Sequence, residues 1–211
     1  AVRKGRGLPE GAEQEMIDAG VPDWYIGSCK KIKYLFPKAH AVAYVMMAFR
    51  IAWFKVYHPL AFYAAYFYRR SQKGGFDAVL MTQGMESIKA NIESIETNEN
   101  ATDKDEDLLT TMEVVYEYYL RGFDFQPIDI YKSHATKFLV EDGKILPPFV
   151  AISGLGENAA WDLMRGREGK TFLSIEEVAA ACPKVSKTHI QMLKDAGAFG
   201  SLPDTSQISL F

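Results

Sequence analysis

The chain of 211 residues has only two cysteines, Cys29 and Cys182. They lie far apart in the sequence and match none of the paired spacings that bind zinc. We therefore interpret them as reduced thiols of a cytoplasmic protein, although the sequence alone leaves a disulfide between them open.

The sequence also has no uninterrupted apolar run of the length that a bilayer requires. Residues 39–67 are strongly apolar, but Arg50, Lys55 and Pro59 divide them. A membrane-spanning helix needs about 20 consecutive apolar residues. We therefore predict no membrane segment and expect this stretch to lie in a protein core.

Charge is distributed unevenly within a formal net charge of −3. Residues 1–75 carry 12 Lys/Arg against 5 Asp/Glu, whereas residues 76–211 carry 12 against 22. A polyanionic partner is therefore expected mainly on the basic N-terminal third. The acidic run at residues 103–107 is interpreted as a solvated loop and helix start, so no catalytic carboxylate pair and no metal site are predicted.

Apolar periodicity predicts a mostly α fold with one short β element. Helices are expected over residues 9–19, 22–35, 39–57, 60–72, 76–95 and 108–121, with further compact helices over 147–200. The alternating stretch ATKFLVEDGKILPPF predicts a small β-hairpin that turns at Asp142 and Gly143. Gly200 and Pro203 break the pattern, so residues 201–211 are expected to form a flexible tail without a partner inside the chain.

The stretch ISGLGENAA contains a motif with functional chemistry. Gly154 and Gly156 bracket Leu155, which is expected to anchor the hairpin in the core, where one helix ends at Ile152 and another begins. Glycine allows both a sharp turn and close approach of a phosphate. The spacing resembles the helix-hairpin-helix motif, which binds the nucleic-acid backbone regardless of base sequence. An ordinary glycine-capped helical hairpin is the alternative. Three basic residues that could reach further phosphates follow: Arg165, Arg167 and Lys170.

A second, degenerate hairpin is expected around CPKVSKTHI. Lys184 and Lys187 stand where glycines would be expected, and both are candidate DNA contacts. This half of the tandem pair is interpreted as more structural than binding.

The final residues QISLF form a second candidate site. Gln207 provides a polar hook, followed by two large apolar side chains, Leu210 and Phe211, whose burial would each gain roughly 1.5–3 kcal/mol. This composition is typical of a peptide that docks into a preformed groove. It resembles the pentapeptide by which bacterial replication proteins bind the sliding clamp. A tail folded back on its own domain is the alternative.

The stretch FPKAHAVAYVMMAFR contains a third candidate site at Lys38, His40 and Tyr44. On a helix, His40 and Tyr44 are separated by four positions and share one face. Lys38 could neutralise phosphates, His40 could donate a hydrogen bond, and the Tyr44 ring could contact a ribose or a base. The alternative is that His40 and Tyr44 are amphipathic residues on a buried helix.

With these residues in view, residues 29–67 resemble the fingers segment of the C-family bacterial replicative DNA polymerases. The whole chain is similar to the C-terminal portion of the PolC-type alpha subunit. The resemblance implies that residues 1–75 are the later part of the fingers, with Lys38, His40 and Tyr44 near the incoming deoxynucleoside triphosphate (dNTP). Residues 76–200 would be the duplex-binding region, with the tandem hairpins at 147–200 holding primer-template DNA, and residues 201–211 the clamp-binding tail.

The resemblance also implies what this chain lacks. Phosphoryl transfer in such enzymes uses carboxylates of the palm that hold two Mg²⁺ ions, and these would lie in the remainder of the polymerase chain. The 211 residues are therefore expected to bind no Mg²⁺ and to be inactive as a polymerase alone. Two alternatives stay open: a non-catalytic DNA-binding and clamp-docking module of a repair or replication protein, and a purely structural helical domain.

Overall fold

The computed structural model describes residues 1–206. Over these residues the chain forms ten α-helices and one two-stranded antiparallel sheet, which confirms the mostly helical prediction. The α-helices are α1 (Ala12–Asp18), α2 (Asp23–Lys31), α3 (Lys38–Tyr57), α4 (Pro59–Ser71), α5 (Ala78–Met81), α6 (Met85–Glu96), α7 (Asp103–Leu120), α8 (Glu157–Gly166), α9 (Ile175–Ala181) and α10 (Lys187–Asp195). The strands are β1 (Leu139–Glu141) and β2 (Lys144–Leu146), and 3₁₀ turns occur at Val2–Lys4 and Phe149–Ala151.

The chain divides into two compact units, Ala1–Trp53 and Phe54–Phe211. The first unit has a small interior in which Ile26 and Cys29 of α2 are buried. An ion pair between Lys30 and Glu13, 2.6 Å long, joins α2 to α1. Both cysteines of the chain are free thiols, so the disulfide that the sequence left open does not form.

Helix α3 is apolar around its whole circumference and exposed along its length. None of its 20 residues is buried, and the side chain of Phe49 is 74% exposed. The expectation of a core segment is therefore wrong for α3 in this chain, whereas Tyr63 and Phe67 of α4 are fully buried. By length and composition alone, α3 could cross a membrane. A helix that is apolar on every side is normally enclosed by protein or lipid.

An aromatic cluster forms the centre of the second unit. The ring of Phe67 in α4 lies 5.1 Å from that of Phe76, 5.5 Å from Phe125 and 6.1 Å from Phe138, centroid to centroid. Tyr118 of α7 lies 4.7 Å from Phe125. Ring pairs at such distances contribute about 0.5–1.5 kcal/mol each beyond the burial of their area. The cluster thus packs α4 and α7 against the segment that leads into β1.

The β-hairpin forms where the sequence predicted it. Asp142 (φ 51°) and Gly143 (φ 74°) occupy the left-handed region at the two-residue turn, and Leu139 pairs with Leu146. Two left-handed residues are what a type I′ hairpin turn requires.

Two helices differ from their predicted bounds for local reasons. The helix expected over residues 76–95 is interrupted at Gly84 (φ 95°), which separates α5 from α6. Helix α7 begins at Asp103 because Thr102 and Asp105 form a capping box, in which each side chain accepts the backbone N–H of the other residue. The acidic run therefore lies in the first turns of α7, where the helix dipole favours negative charge.

Close packing of α8 against the end of α9 gives a test of the fold. A Cβ on Gly166 would lie 2.3 Å from the Cys182 Sγ atom and 3.0 Å from the Ala181 carbonyl oxygen. We expect Gly166→Ala to lower the free energy of unfolding by about 1–3 kcal/mol, in spite of the higher helix propensity of alanine. Urea unfolding followed by circular dichroism measures this change.

The exposed neighbour Arg165 provides the matched control on the same helix. Arg165→Ala should change the free energy of unfolding by no more than about 0.5 kcal/mol. Adding Cys182→Ala to Gly166→Ala should restore part of the loss, because it removes the nearest clashing atom. Equal stability of Gly166→Ala and the parent chain would contradict the packing described.

Candidate nucleic-acid interface

The first hairpin joins the 3₁₀ turn Phe149–Ala151 to α8. The helix expected to end at Ile152 is only this single 3₁₀ turn. Leu155 is 3% exposed, so it anchors the hairpin in the core as predicted. Its backbone N–H donates to the carbonyl of Ile152 at 3.1 Å, which closes the turn.

The two glycines of this hairpin differ in their surroundings. Gly154 has a φ of +90°, and a Cβ there would lie 2.8 Å from the Met192 Cε atom of α10. Gly156 has ordinary extended backbone (φ −72°, ψ 162°), and a Cβ there would meet nothing within 4 Å. The positive φ of the turn therefore requires glycine at Gly154. At Gly156 the backbone does not require glycine, and the absence of a side chain leaves an open surface.

Gly156 is the N-cap of α8 and provides no side chain to cap it. Its carbonyl accepts the N–H groups of Ala159 and Ala160, at 3.1 Å each. The first N–H groups of a helix have no acceptor within the helix and carry the positive end of its dipole. An open groove of about 290 Å³ is lined by Gly156 together with Ser71 and Asp77. This end of α8 thus offers hydrogen-bond donors to an anion.

The second hairpin lies beside the first and is tied to it. The backbone N–H of Lys184 donates to the Asp162 carboxylate of α8 at 2.8 Å. Ser186 and His189 form a capping box at the start of α10. The side chains of Lys184 and Lys187 are exposed. The structure therefore brings the two predicted hairpins together as a pair, with both lysines facing solvent.

The basic residues downstream of the first hairpin have different environments. Arg165, with a side chain 61% exposed, and Lys170 are both accessible. Arg167 is directed inward, because its Nη1 donates to the Ile130 carbonyl at 2.6 Å and its guanidinium lies 5.5 Å from the Phe149 ring. Burial lowers the pKa of Arg167 from its ordinary value. Arg167 thus has contacts within the fold that Arg165 and Lys170 do not show, and its DNA contact stays a prediction.

In the first unit, the three predicted nucleotide contacts lie close together at the start of α3. Lys38 is the first residue of the helix, and the rings of His40 and Tyr44 meet edge to face at 4.5 Å. Tyr44 is 64% exposed. The ring of Phe36 lies 5.1 Å from His40 and 6.1 Å from Tyr34, so the exposed aromatic row extends beyond the residues that the sequence singled out. The sequence feature that indicates this extension is the alternation of aromatic residues, Tyr34 and Phe36, immediately before Lys38.

The acidic residues in the first turns of α7 have structural roles. Asp105 caps the helix, and Asp107 forms a 2.7 Å ion pair with Arg70. No group of three or more histidines, cysteines or carboxylates within residues 1–206 is arranged to hold a metal ion.

Hydrogen bonds to the rest of the chain extend further into the C-terminal segment than the sequence predicted. The carbonyls of Pro203 and Asp204 accept the N–H groups of Ile175 and Glu176, at 2.9 and 3.1 Å. Asp204 also pairs with Lys194 at 2.6 Å. The expected absence of a partner for residues 201–211 is thus wrong for these two residues. The clamp-binding candidates Gln207, Leu210 and Phe211 lie outside the described residues.

Comparison with known proteins agrees with the hairpin geometry. A family model described as "Helix-hairpin-helix motif" matches residues 122–207. The fold and the hairpin thus place this part of the chain in the helix-hairpin-helix class.

Relatives extend the match to the whole chain. The chain is 49% identical to the PolC-type DNA polymerase III of Bacillus cereus, 51% to that of Caldanaerobacter subterraneus and 49% to that of Bacillus subtilis. Each match covers 100% of this chain but only about 14–15% of the relative's length. Over its whole length this chain is therefore similar to a segment of PolC-type DNA polymerase III, and it spans about 15% of the length of these relatives.

Proposed function

We propose that this segment supplies DNA and nucleotide contacts to a bacterial replicative DNA-directed DNA polymerase acting in the cytoplasm. The observation that carries the proposal is the open, donor-bearing hairpin at Gly156 within a chain about half identical to PolC-type polymerases. The complete enzyme would transfer nucleotides with Mg²⁺ held by carboxylates in the remainder of the polymerase chain. Nucleotide incorporation by the 211-residue chain alone would contradict this division of roles.

The tandem hairpins would bind the backbone of primer-template DNA. The N–H groups at the start of α8 can donate to one phosphate, which Gly156 allows to approach closely. The exposed cations on both hairpins can neutralise neighbouring phosphates, and such contacts fix register without reading sequence. These cations are Arg165, Lys170, Lys184 and Lys187.

Substitution at Gly156 tests DNA binding without disturbing the fold. The backbone there is extended and the space is open, so Gly156→Val should keep the fold. It should lower the free energy of unfolding by no more than about 1 kcal/mol, because valine is a poorer N-cap than glycine. Loss of one hydrogen bond to a charged phosphate, worth about 1.5–3 kcal/mol, should weaken duplex binding roughly tenfold or more. Fluorescence anisotropy with labelled duplex at several salt concentrations measures the affinity.

Lys89→Ala, at an exposed lysine of α6 outside both hairpins, is the control. It should retain the parent affinity at each salt concentration. If Gly156→Val binds duplex as tightly as the parent chain, the hairpin does not hold the phosphate.

The exposed face at the start of α3 would contact the incoming dNTP. Lys38 would attract the phosphates, His40 would donate a hydrogen bond, and the ring of Tyr44 would pack on the ribose or base. The support is the edge-to-face contact of His40 with Tyr44 and the exposure of both rings.

Two substitutions of Tyr44 in the complete polymerase separate the ring from its hydroxyl. Tyr44→Ala should raise the KM for dNTP about tenfold, equivalent to about 1.4 kcal/mol, because the packing surface is lost. Tyr44→Phe should remain within about twofold of the parent, because the ring persists. Steady-state primer extension measures both. An unchanged KM in Tyr44→Ala with a lower thermal midpoint would favour the purely structural alternative.

The final residues would tether the polymerase to the sliding clamp. A weak peptide suffices, because the tethered enzyme rebinds DNA at a high effective concentration. Calorimetric titration of this chain with the clamp should give a micromolar Kd, about −8 kcal/mol, that is lost on removing residues 207–211. DNA affinity of the truncated chain should be unchanged. Equal clamp binding with and without these residues would contradict the tether.

The exposure of α3 supports the proposal that the remainder of the polymerase chain packs against this helix. A helix that is apolar on every side is normally enclosed by protein or lipid. This chain spans only about 15% of the length of its relatives, so other parts of such a polymerase are available to enclose α3. A non-catalytic DNA-binding module has no use for such a helix, and this favours the polymerase over that alternative. Two results together would favour a membrane as the surroundings of α3 instead. This chain would insert into lipid vesicles, and α3 would be accessible to labels in the complete polymerase.

A further inference from the structure

A groove on the exposed side of α8, within the second unit, has aromatic rings and charged side chains in its walls. Its volume is about 510 Å³, and small-ligand sites commonly have volumes of about 300–1,000 Å³. Trp161 and Arg165 of α8 are separated by four positions, so they lie on one face of the helix. We call this the Trp161 groove, and it is lined by Tyr131, Trp161, Met164, Arg165, Arg167 and Glu168.

The two large rings of the groove are partly exposed and are held in place from behind. Tyr131 is 40% exposed and Trp161 is 37% exposed. The Tyr131 hydroxyl accepts the backbone N–H of Phe172 at 3.0 Å, and the two rings stack with their centroids 6.1 Å apart. Trp161 meets the ring of His134 edge to face at 5.3 Å, and the His134 Nδ1 atom accepts two backbone N–H groups. A ligand can therefore pack on rings that need little reordering, which lowers the entropic cost of binding.

The charged residues of the groove favour a ligand that has both a negative group and a hydrogen-bonding edge. The Arg165 Nη2 atom lies 3.7 Å from the Asp162 carboxylate, which is longer than a hydrogen bond, and the side chain is 61% exposed. Its guanidinium can therefore turn toward a phosphate. Arg167 donates to the Ile130 carbonyl and so ties the groove to the neighbouring loop. Glu168 provides a carboxylate that can accept the exocyclic amino group of a base.

This combination of groups is typical of a site for an unpaired nucleotide. Bases stack on aromatic side chains whatever their sequence, while cations contact the phosphates. Within a duplex the face of each base is covered by its neighbours, so only an unpaired base can reach the rings of the groove. Trp161 follows Gly156 by five positions, about 7.5 Å of helix rise. One DNA molecule can therefore contact both the first hairpin and the groove.

We propose that the Trp161 groove binds an unpaired nucleotide of single-stranded DNA that adjoins the duplex. The base packs against Trp161 and Tyr131, and Arg165 neutralises its phosphate. This inference rests on the proposed binding of DNA by the hairpins, and it adds single-stranded DNA to the duplex backbone as a ligand of this part of the chain.

Fluorescence anisotropy of this chain with two labelled duplexes tests the proposal. One duplex is blunt, and the other carries a short single-stranded extension. The parent chain should bind the extended duplex about tenfold more tightly, which is the effect of one stacked base. Trp161→Ala should lose this gain, while its affinity for the blunt duplex should stay within about twofold of the parent. Trp161→Phe should keep most of the gain, because an aromatic ring remains.

Trp24→Ala is the matched control, because Trp24 is an exposed tryptophan outside the groove, and it should keep the whole gain. An extension of abasic sugar-phosphate units should give little gain, because it has phosphates but no bases to stack. A full gain with the abasic extension would overturn the proposal, since charge alone would then account for binding. If Trp161→Ala does not fold, a chain with Trp24→Phe and Trp53→Phe retains Trp161 as its only tryptophan. The extended duplex should quench its emission, and the blunt duplex should not.

The outcomes distinguish this proposal from the function on which it rests. If Gly156→Val weakens binding of the blunt duplex but the parent chain binds both duplexes equally, the proposal for the groove alone is overturned. A gain that persists in Trp161→Ala has the same meaning. A folded parent chain that binds neither duplex would overturn both the groove and the DNA-binding role of the hairpins. Protection of Trp161 from oxidative labelling in the complete polymerase without DNA would show that protein fills the groove, and this too would overturn the proposal.

Discussion

Phe67 occupies the centre of the packing on which the second unit depends. Its ring contacts aromatic side chains from α4, α7 and the segment before β1, and it is fully buried. The same continuous core includes Leu155 under the first hairpin and Leu163 of α8. Because close-packed interiors transmit strain, the hairpin backbone is positioned by contacts that begin at this cluster.

This core determines which groups remain available for function. Leu155 and Leu163 face inward, so the start of α8 at Gly156 is left beside the open groove. In the same cluster, Tyr63 is buried and its hydroxyl donates a hydrogen bond to Glu117. One aromatic core thus supports both the first hairpin and the Lys55–Glu117 ion pair.

The sequence predicted features that depend on neighbours in the chain. The turn at Asp142 and Gly143 and the inward position of Leu155 follow from local patterns, and both are confirmed. Features that depend on tertiary packing escaped prediction. Arg165 and Arg167 are two positions apart and of one residue type, yet only Arg167 meets a buried carbonyl. The Lys55–Glu117 pair has a separation of 62 residues, so no local pattern indicates it. The exposure of α3 was missed because an apolar sequence indicates a need for burial, not whether this chain satisfies it.

Hydrogen exchange at the first hairpin tests the central claim most directly. In the complete polymerase without DNA, the first-turn N–H groups of α8 have no helical acceptor and should exchange rapidly. Addition of primer-template duplex should slow exchange at residues 156–158, because these groups would then donate to a phosphate. Exchange that is unchanged at these residues, with the duplex bound, would contradict the account.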